Sequence, residues 1–236
     1  MGKYSFSEYA EEIEKAAKES ARKTGRGDGN IEDQIRVANE LLRGLEILGN
    51  EDKATHLRSD VRNALSEFAD SILAGEKNIA VAPEEKREEA FNLLVTFLMS
   101  FASRTGTRDR VNIFTTNYDR VIEMGAELAG MHLLDRFVGN LSPIFRSSRL
   151  DLDMHYNPPG MRGEPRYLEG VARFTKLHGS VDWVQVQSEI RRIGVPFGAD
   201  NLEPFFNAPG FRDATPYKLM VYPNAARTRK HPTIRM

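Results

Sequence analysis

The spacing of apolar residues changes once along this chain, and that change constrains the fold more than any other feature. From Phe6 to Phe101 apolar residues recur every three or four positions, as on one face of a helix. From Val111 onward they come in short runs bounded by turn residues, as strands do. The first helical stripe is Phe6, Tyr9, Ile13, Ala16 and Ala17, behind a capping-box pattern at Ser5 and Glu8. A loop, "TGRGDGN", runs from Thr24 to Asn30. Asn30 is placed to cap a second helix, with Asp33 in its first turn, where a negative charge suits the dipole. Ile31, Ile35, Ala38, Leu42, Leu45 and Leu48 form that helix's stripe, and Gly49 and Asn50 stop it. A third helix carries Leu57, Val61, Leu65, Phe68 and Ile72 and is expected to end at Gly75. Pro83 suits the first turn of a fourth, which runs through Phe91, Leu94, Val95, Leu98 and Phe101.

The second half reads differently. Val111 to Thr115 is a short β-prone run, expected to be a buried strand. Asp119 to Ala129 reads as a short helix ended by Gly130. Further strands are expected at Arg173 to Gly179, running into a loop, at Val181 to Gln187 and at Tyr217 to Pro223. Between them lie loops rich in Pro and Gly, Tyr156 to Pro165 and Gly194 to Gly210. Helices followed by strands that end in polar loops predict an α/β fold whose ligands sit at the strand ends.

Composition narrows the function classes. The 236 residues suffice for one large domain or two small ones. A net charge of −1 gives no global field to recruit nucleic acid or an anionic membrane. With no cysteine, the chain forms no disulfide and no Cys-ligated zinc or iron–sulfur centre. No N-terminal run resembles a signal peptide, and no stretch approaches the ~20 apolar residues of a membrane span. A cytoplasmic location is the expectation.

Two strand ends carry candidate chemistry. In "FTTNYDR" (Phe114 to Arg120), Asn117 donates and accepts hydrogen bonds and Asp119 accepts them. Asn and Asp also favour helix N-caps for local reasons, so a cap and a ligand site both fit. In "KLHGSVDW" (Lys176 to Trp183), His178 follows a strand, and Gly179 permits a sharp turn. A histidine there serves equally as a proton carrier near neutrality or as a structural group bonded to a loop carbonyl. Both segments are strands ending in polar clusters, and such ends meet where two strands share one sheet.

"TTNYD" followed by "KLHGS" resembles the sirtuin (silent information regulator) superfamily, and most of all its bacterial NAD-hydrolysing branch of antiphage defence. That branch commonly has Thr-Thr-Asn-Tyr-Asp and Leu-His-Gly-Ser. "NIEDQIRVANELL" (Asn30 to Leu42) and "MVYPNAARTRKHP" (Met220 to Pro232) are similar to its flanking segments. The likeness thus covers roughly residues 28 to 232 and is specific at the two short motifs. It implies a partial Rossmann-like parallel sheet with a helical N-terminal half (1–105), an α/β part (106–236) and a loop-rich insertion, all in one domain. It implies NAD as substrate, cleaved to nicotinamide and ADP-ribose. By position, Asn117 would place the nicotinamide ribose and the attacking water, and His178 would be the general base. Asp119 would hold the carboxamide, with Thr115, Thr116, Gly179 and Ser180 around the nucleotide. A homo-oligomer or further domains are implied as partners, with neither membrane nor nucleic acid. The branch depletes cellular NAD when infection activates it. A silent NAD- or ADP-ribose-binding or assembly module of the same fold is the alternative, as is a protein deacylase.

The chain departs from the family in two places. The Gly-Ala-Gly-x-Ser loop that cradles the NAD phosphates is missing, and "TGRGDGN" follows a helix rather than a strand. The late Gly-rich turn that holds the adenosine is missing too, so the expectation is a fragment without either end of the core. Deacylating sirtuins carry two C-x-x-C pairs for a structural zinc, which this chain cannot supply. That favours hydrolysis over deacylation. Elsewhere, Asp151, Asp153 and His155 alternate as metal ligands on one strand face would, though a solvated edge fits as well. No metal site is expected. "ARTRKH" (Ala226 to His231) reads as a solvated basic loop, and Trp183 as core or pocket wall.

Overall fold

The helical half forms as its spacing requires. In the computed structural model, which describes residues 6–25, 27–102, 110–148, 153–156, 166–206, 208–211 and 214–216, helix α1 (Ala10–Lys23) follows a 3-10 turn at Ser7–Tyr9. Ser5 lies outside the described residues. Helix α2 (Ile31–Ile47) opens on a full capping box. The Asp33 amide donates to Asn30 Oδ1 at 3.1 Å, and the Asn30 amide to Asp33 Oδ2 at 3.3 Å. Leu48 sits past the last turn of α2 and is exposed, so it leaves the expected stripe.

Helix α3 (Glu51–Ala80) corrects one boundary. Gly75 does not stop it, and the helix continues for another turn and more. A helical glycine costs only about 1 kcal/mol relative to alanine, too little to end a 30-residue helix unaided. The described residues fall into two compact units, one up to Ile72 and one from Leu73. The first is built on Phe6, Ile13, Ile35, Ala38, Leu45, Ala54, Leu57, Val61 and Ala64, all but Ala54 and Ala64 being stripe residues.

The second unit takes the rest of α3, then α4 (Glu84–Ala102), strand β1 (Val111–Thr115) and α5 (Val121–Leu128). Five short strands follow, at His132–Leu134 (β2), Phe137–Val138 (β3), Ile144–Phe145 (β4), His155–Tyr156 (β5) and Arg166–Tyr167 (β6). Then come β7 (Val171–Lys176), β8 (Trp183–Val186), β9 (Glu189–Arg192), a short helix α6 (Glu203–Phe206) and β10 (Ala214–Pro216). The strand expected from Arg173 thus begins two residues earlier and ends at Lys176. The one expected from Val181 is trimmed to Trp183–Val186. The strand expected at Tyr217 to Pro223 and the basic loop after it lie outside the described residues, as does Asp151.

Three of these strands make a parallel sheet in the order β1–β7–β2. The chain is therefore a mixed α/β protein with a small parallel sheet. On one face of it, Val111, Ile113, Leu133 and Ala172 meet Leu94 and Leu98 of α4 and Ile122 and Ala126 of α5. Gly125 lets the two helices close. A Cβ there would stand 2.5 Å from the Leu94 side chain. On the other face, Phe114 is 62% exposed. A separate antiparallel sheet runs β10–β8–β9–β4–β3. Trp183, expected as core or wall, is half-buried in it beside Phe137 and Phe145, with ring centroids 5.0 and 6.0 Å away.

Candidate functional site

β1 and β7 are direct parallel neighbours, in register from Val111 opposite Ala172 to Thr115 opposite Lys176. The Leu177 amide donates to the Thr115 carbonyl at 2.9 Å, extending the ladder past the strands. Asn117 and His178 each stand two residues beyond the last registered pair. The two polar clusters therefore leave the same end of one sheet from adjacent strands. That end is the carboxyl end, where open α/β sheets bind ligands.

The turn after β1 is set locally. The Asn117 amide donates to Thr115 Oγ1 at 3.1 Å. Asp119 Oδ1 accepts the Val121 amide at 3.1 Å, so the helix lead-in that the motif offers is made by Asp119. Asn117 is not the cap: its side chain is exposed and makes no hydrogen bond to the described residues. Thr116 is exposed as well. After β7, Gly179 takes φ +85°, a left-handed conformation that a side chain would strain. It swings the backbone back so that the Val181 amide donates to the Tyr118 carbonyl at 3.1 Å. His178 is half-buried. Its ring stands 6.1 Å from that of Tyr118, and it bonds no carbonyl among the described residues.

Beneath these two turns lies a charged cluster that the motif reading missed. The Lys176 side chain is 1% exposed. Its ammonium pairs with Glu123 Oε1 at 2.9 Å, donates to Ser180 Oγ at 2.9 Å and to the Asp119 carbonyl, and lies 3.5 Å from the Tyr118 carbonyl. Ser180 Oγ in turn donates to the Tyr118 carbonyl at 3.3 Å. Ser180 is fully buried, so its hydroxyl fastens the two turns together. Two carboxylate oxygens in this region, Glu123 Oε2 and Asp182 Oδ1, are buried and accept nothing from the described residues. The signal for Lys176 was in the sequence: alternation puts it on the same strand face as Ala172 and Phe174, both buried.

Burial raises the Glu123 carboxyl above its ordinary 4.5, by more than the Lys176 ammonium lowers it, and the Asp182 charge adds to the rise. A pKa raised on folding contributes stability below 4.5 that is lost as pH climbs through the folded value. A Glu123→Gln chain is expected to lose less stability than the parent between about pH 4 and about pH 8 in urea titrations. Parallel curves for the two chains would contradict this.

A second buried pair fixes the start of α5. Glu76 Oε1 accepts the Arg120 amide at 2.7 Å, and Glu76 Oε2 pairs with the Arg120 guanidinium at 2.5 Å. The guanidinium also donates to the carbonyls of Val195 at 2.5 Å and Pro196 at 3.3 Å.

Of the alternating acids weighed as metal ligands against a solvated edge, Asp153 is bound to Arg110 at 2.8 Å. The side chain of His155 lies outside the described part. Among the described residues, no cluster of three or more histidine and acidic side chains is placed to hold a metal ion, and no helix is long and apolar enough to cross a membrane. No protein-family model matches the chain, and no curated protein matches it.

Proposed function

We propose that this chain carries the nicotinamide–ribose half of a zinc-free, sirtuin-like NAD-hydrolysing site on a partial Rossmann-like sheet. The observation that carries the reading is the adjacency of β1 and β7. It sends Asn117 and His178 from one sheet end, and neither side chain hydrogen-bonds to the described residues. Asp119, Thr115 and Thr116 accompany Asn117, and Gly179 shapes the turn after His178. Ser180 serves this site from below.

The chemistry asks little of such a pocket. As the bond from the ribose to the nicotinamide ring nitrogen breaks, its electron pair leaves with nicotinamide, and positive charge develops on the ribose, as in glycoside hydrolysis. Fixed polar groups aimed at that charge lower the barrier. Asn117 orients the ribose and the attacking water. His178 accepts the proton that the water gives up as its oxygen bonds to the ribose carbon. Asp119 keeps one carboxylate oxygen for the carboxamide N–H after bonding Val121 with the other. Hydrolysis rather than deacylation follows from the lack of any cysteine to hold a zinc module. NAD depletion in antiphage defence, within an oligomer or a longer protein, is the role this chemistry suits.

Nicotinamide release from NAD, followed by chromatography, tests the reading. Asn117→Ala is expected to release nicotinamide at a rate lower by about a hundredfold, because a misplaced ribose or water loses that much. Equal release by parent and variant would sink the assignment. Binding of ADP-ribose without any release by the parent would turn it into a silent nucleotide-binding module.

A further inference from the structure

We infer that Lys176 is the positioning residue of this site, the group that sets where Asn117 stands relative to His178. The inference rests on the proposed reading of the site, but its geometry does not. Lys176 is the last residue of β7 and sits opposite Thr115, the last residue of β1. From there its ammonium reaches both turns at once. It holds the Asp119 carbonyl from the turn after β1 and the Ser180 hydroxyl from the turn after β7. Glu123, on α5, fixes its far side at 2.9 Å.

The arrangement excludes two other roles. A lysine beside a serine at 2.9 Å invites comparison with a nucleophile and its base. Here, however, the ammonium is the donor, and it is neutralised by Glu123. Ser180 is also buried, out of reach of any substrate. Nor does Lys176 meet a ligand directly, because its side chain is 1% exposed. What remains is action through the backbone. The Val181 amide and the Ser180 hydroxyl also tie the turns, and both end on the Tyr118 carbonyl. Without the ammonium, the Asp119 carbonyl loses its partner, and the segment bearing Asn117 gains freedom.

The test compares the parent chain with Lys176→Met and with a Lys176→Met, Glu123→Gln double variant. The single variant strands the Glu123 carboxylate, which is itself destabilising; the double variant removes both charges and leaves a neutral pair. Two readings are taken on the double variant once thermal unfolding shows it folded. Amide hydrogen exchange is expected to quicken by about tenfold or more at Thr116 to Asp119 and at His178 and Gly179, with Ile113 and Ala172 unchanged. For NAD turnover, kcat is expected to fall by about tenfold to a hundredfold, with the Kd for ADP-ribose little changed. Unchanged exchange in those turns overturns the inference, and so does faster exchange with unchanged kcat. If the parent itself releases no nicotinamide, the proposed function fails, and the exchange measurement alone decides whether Lys176 positions the two turns. Should the double variant not fold, the same readings on a Lys176→Leu, Glu123→Met pair, which fills the space without either charge, decide it: parent-like exchange and kcat would overturn the inference.

Discussion

A Glu76→Ala chain is expected to lose about 3–5 kcal/mol of unfolding free energy in urea titrations, the loss typical of breaking a buried ion pair from one side. Glu76 is 1% exposed, and its carboxylate serves three donors of one residue. Its Oε1 accepts the Arg120 amide at 2.7 Å and Nε at 3.3 Å, and its Oε2 accepts the far guanidinium nitrogen at 2.5 Å. Truncation leaves a buried cation whose other partners, the Val195 and Pro196 carbonyls, carry no full charge. It also orphans the amide that opens α5. Glu76→Gln should fall between the two, since its amide oxygen still accepts the Arg120 N–H while the cation stays unneutralised. A loss below about 1 kcal/mol for the alanine variant would mean that the pair behaves as a solvated surface bridge.

His178→Ala is expected to reduce nicotinamide release by about 10²–10⁴-fold, the usual contribution of a positioned acid–base group. Its stability should move by no more than about 1 kcal/mol, because the ring is only half-buried and bonds no carbonyl among the described residues. The two measurements together separate the roles that the sequence left open. A structural histidine would show the reverse, a clear loss of stability with release untouched.

Local chemistry was legible in the sequence, and the long-range pairing of charged side chains was not. "VNIFT" is apolar, β-prone and bounded by polar residues, and its limits match β1. Asn30 and Asp33 lie three apart at a helix start, so their reciprocal capping needs no partner from elsewhere. The meeting of the two motif strands was also foreseeable, since two short strands with polar ends have few ways to bury their flanks. Glu76 was not. It follows the glycine expected to end α3, and its partner lies 44 residues away with nothing in between to announce it. Lys176 continues the buried alternation of Ala172 and Phe174, but nothing near it in sequence names its partner, Glu123 of α5. The helix after Asp119 began later than expected because the Asp119 carboxylate and Glu76 organise its first amides from outside the helix.

β1 lies at the border of its sheet. Among the described residues its only strand neighbour is β7, so one flank carries a row of backbone donors and acceptors without a ladder, next to a Phe114 that is 62% exposed. A bare, apolar border of this kind is adhesive toward any extended peptide. Because Asn117 follows two residues after the same strand, whatever adhered there would run alongside the motif turns. A Phe114→Lys substitution would place a charge on that border without touching either motif turn.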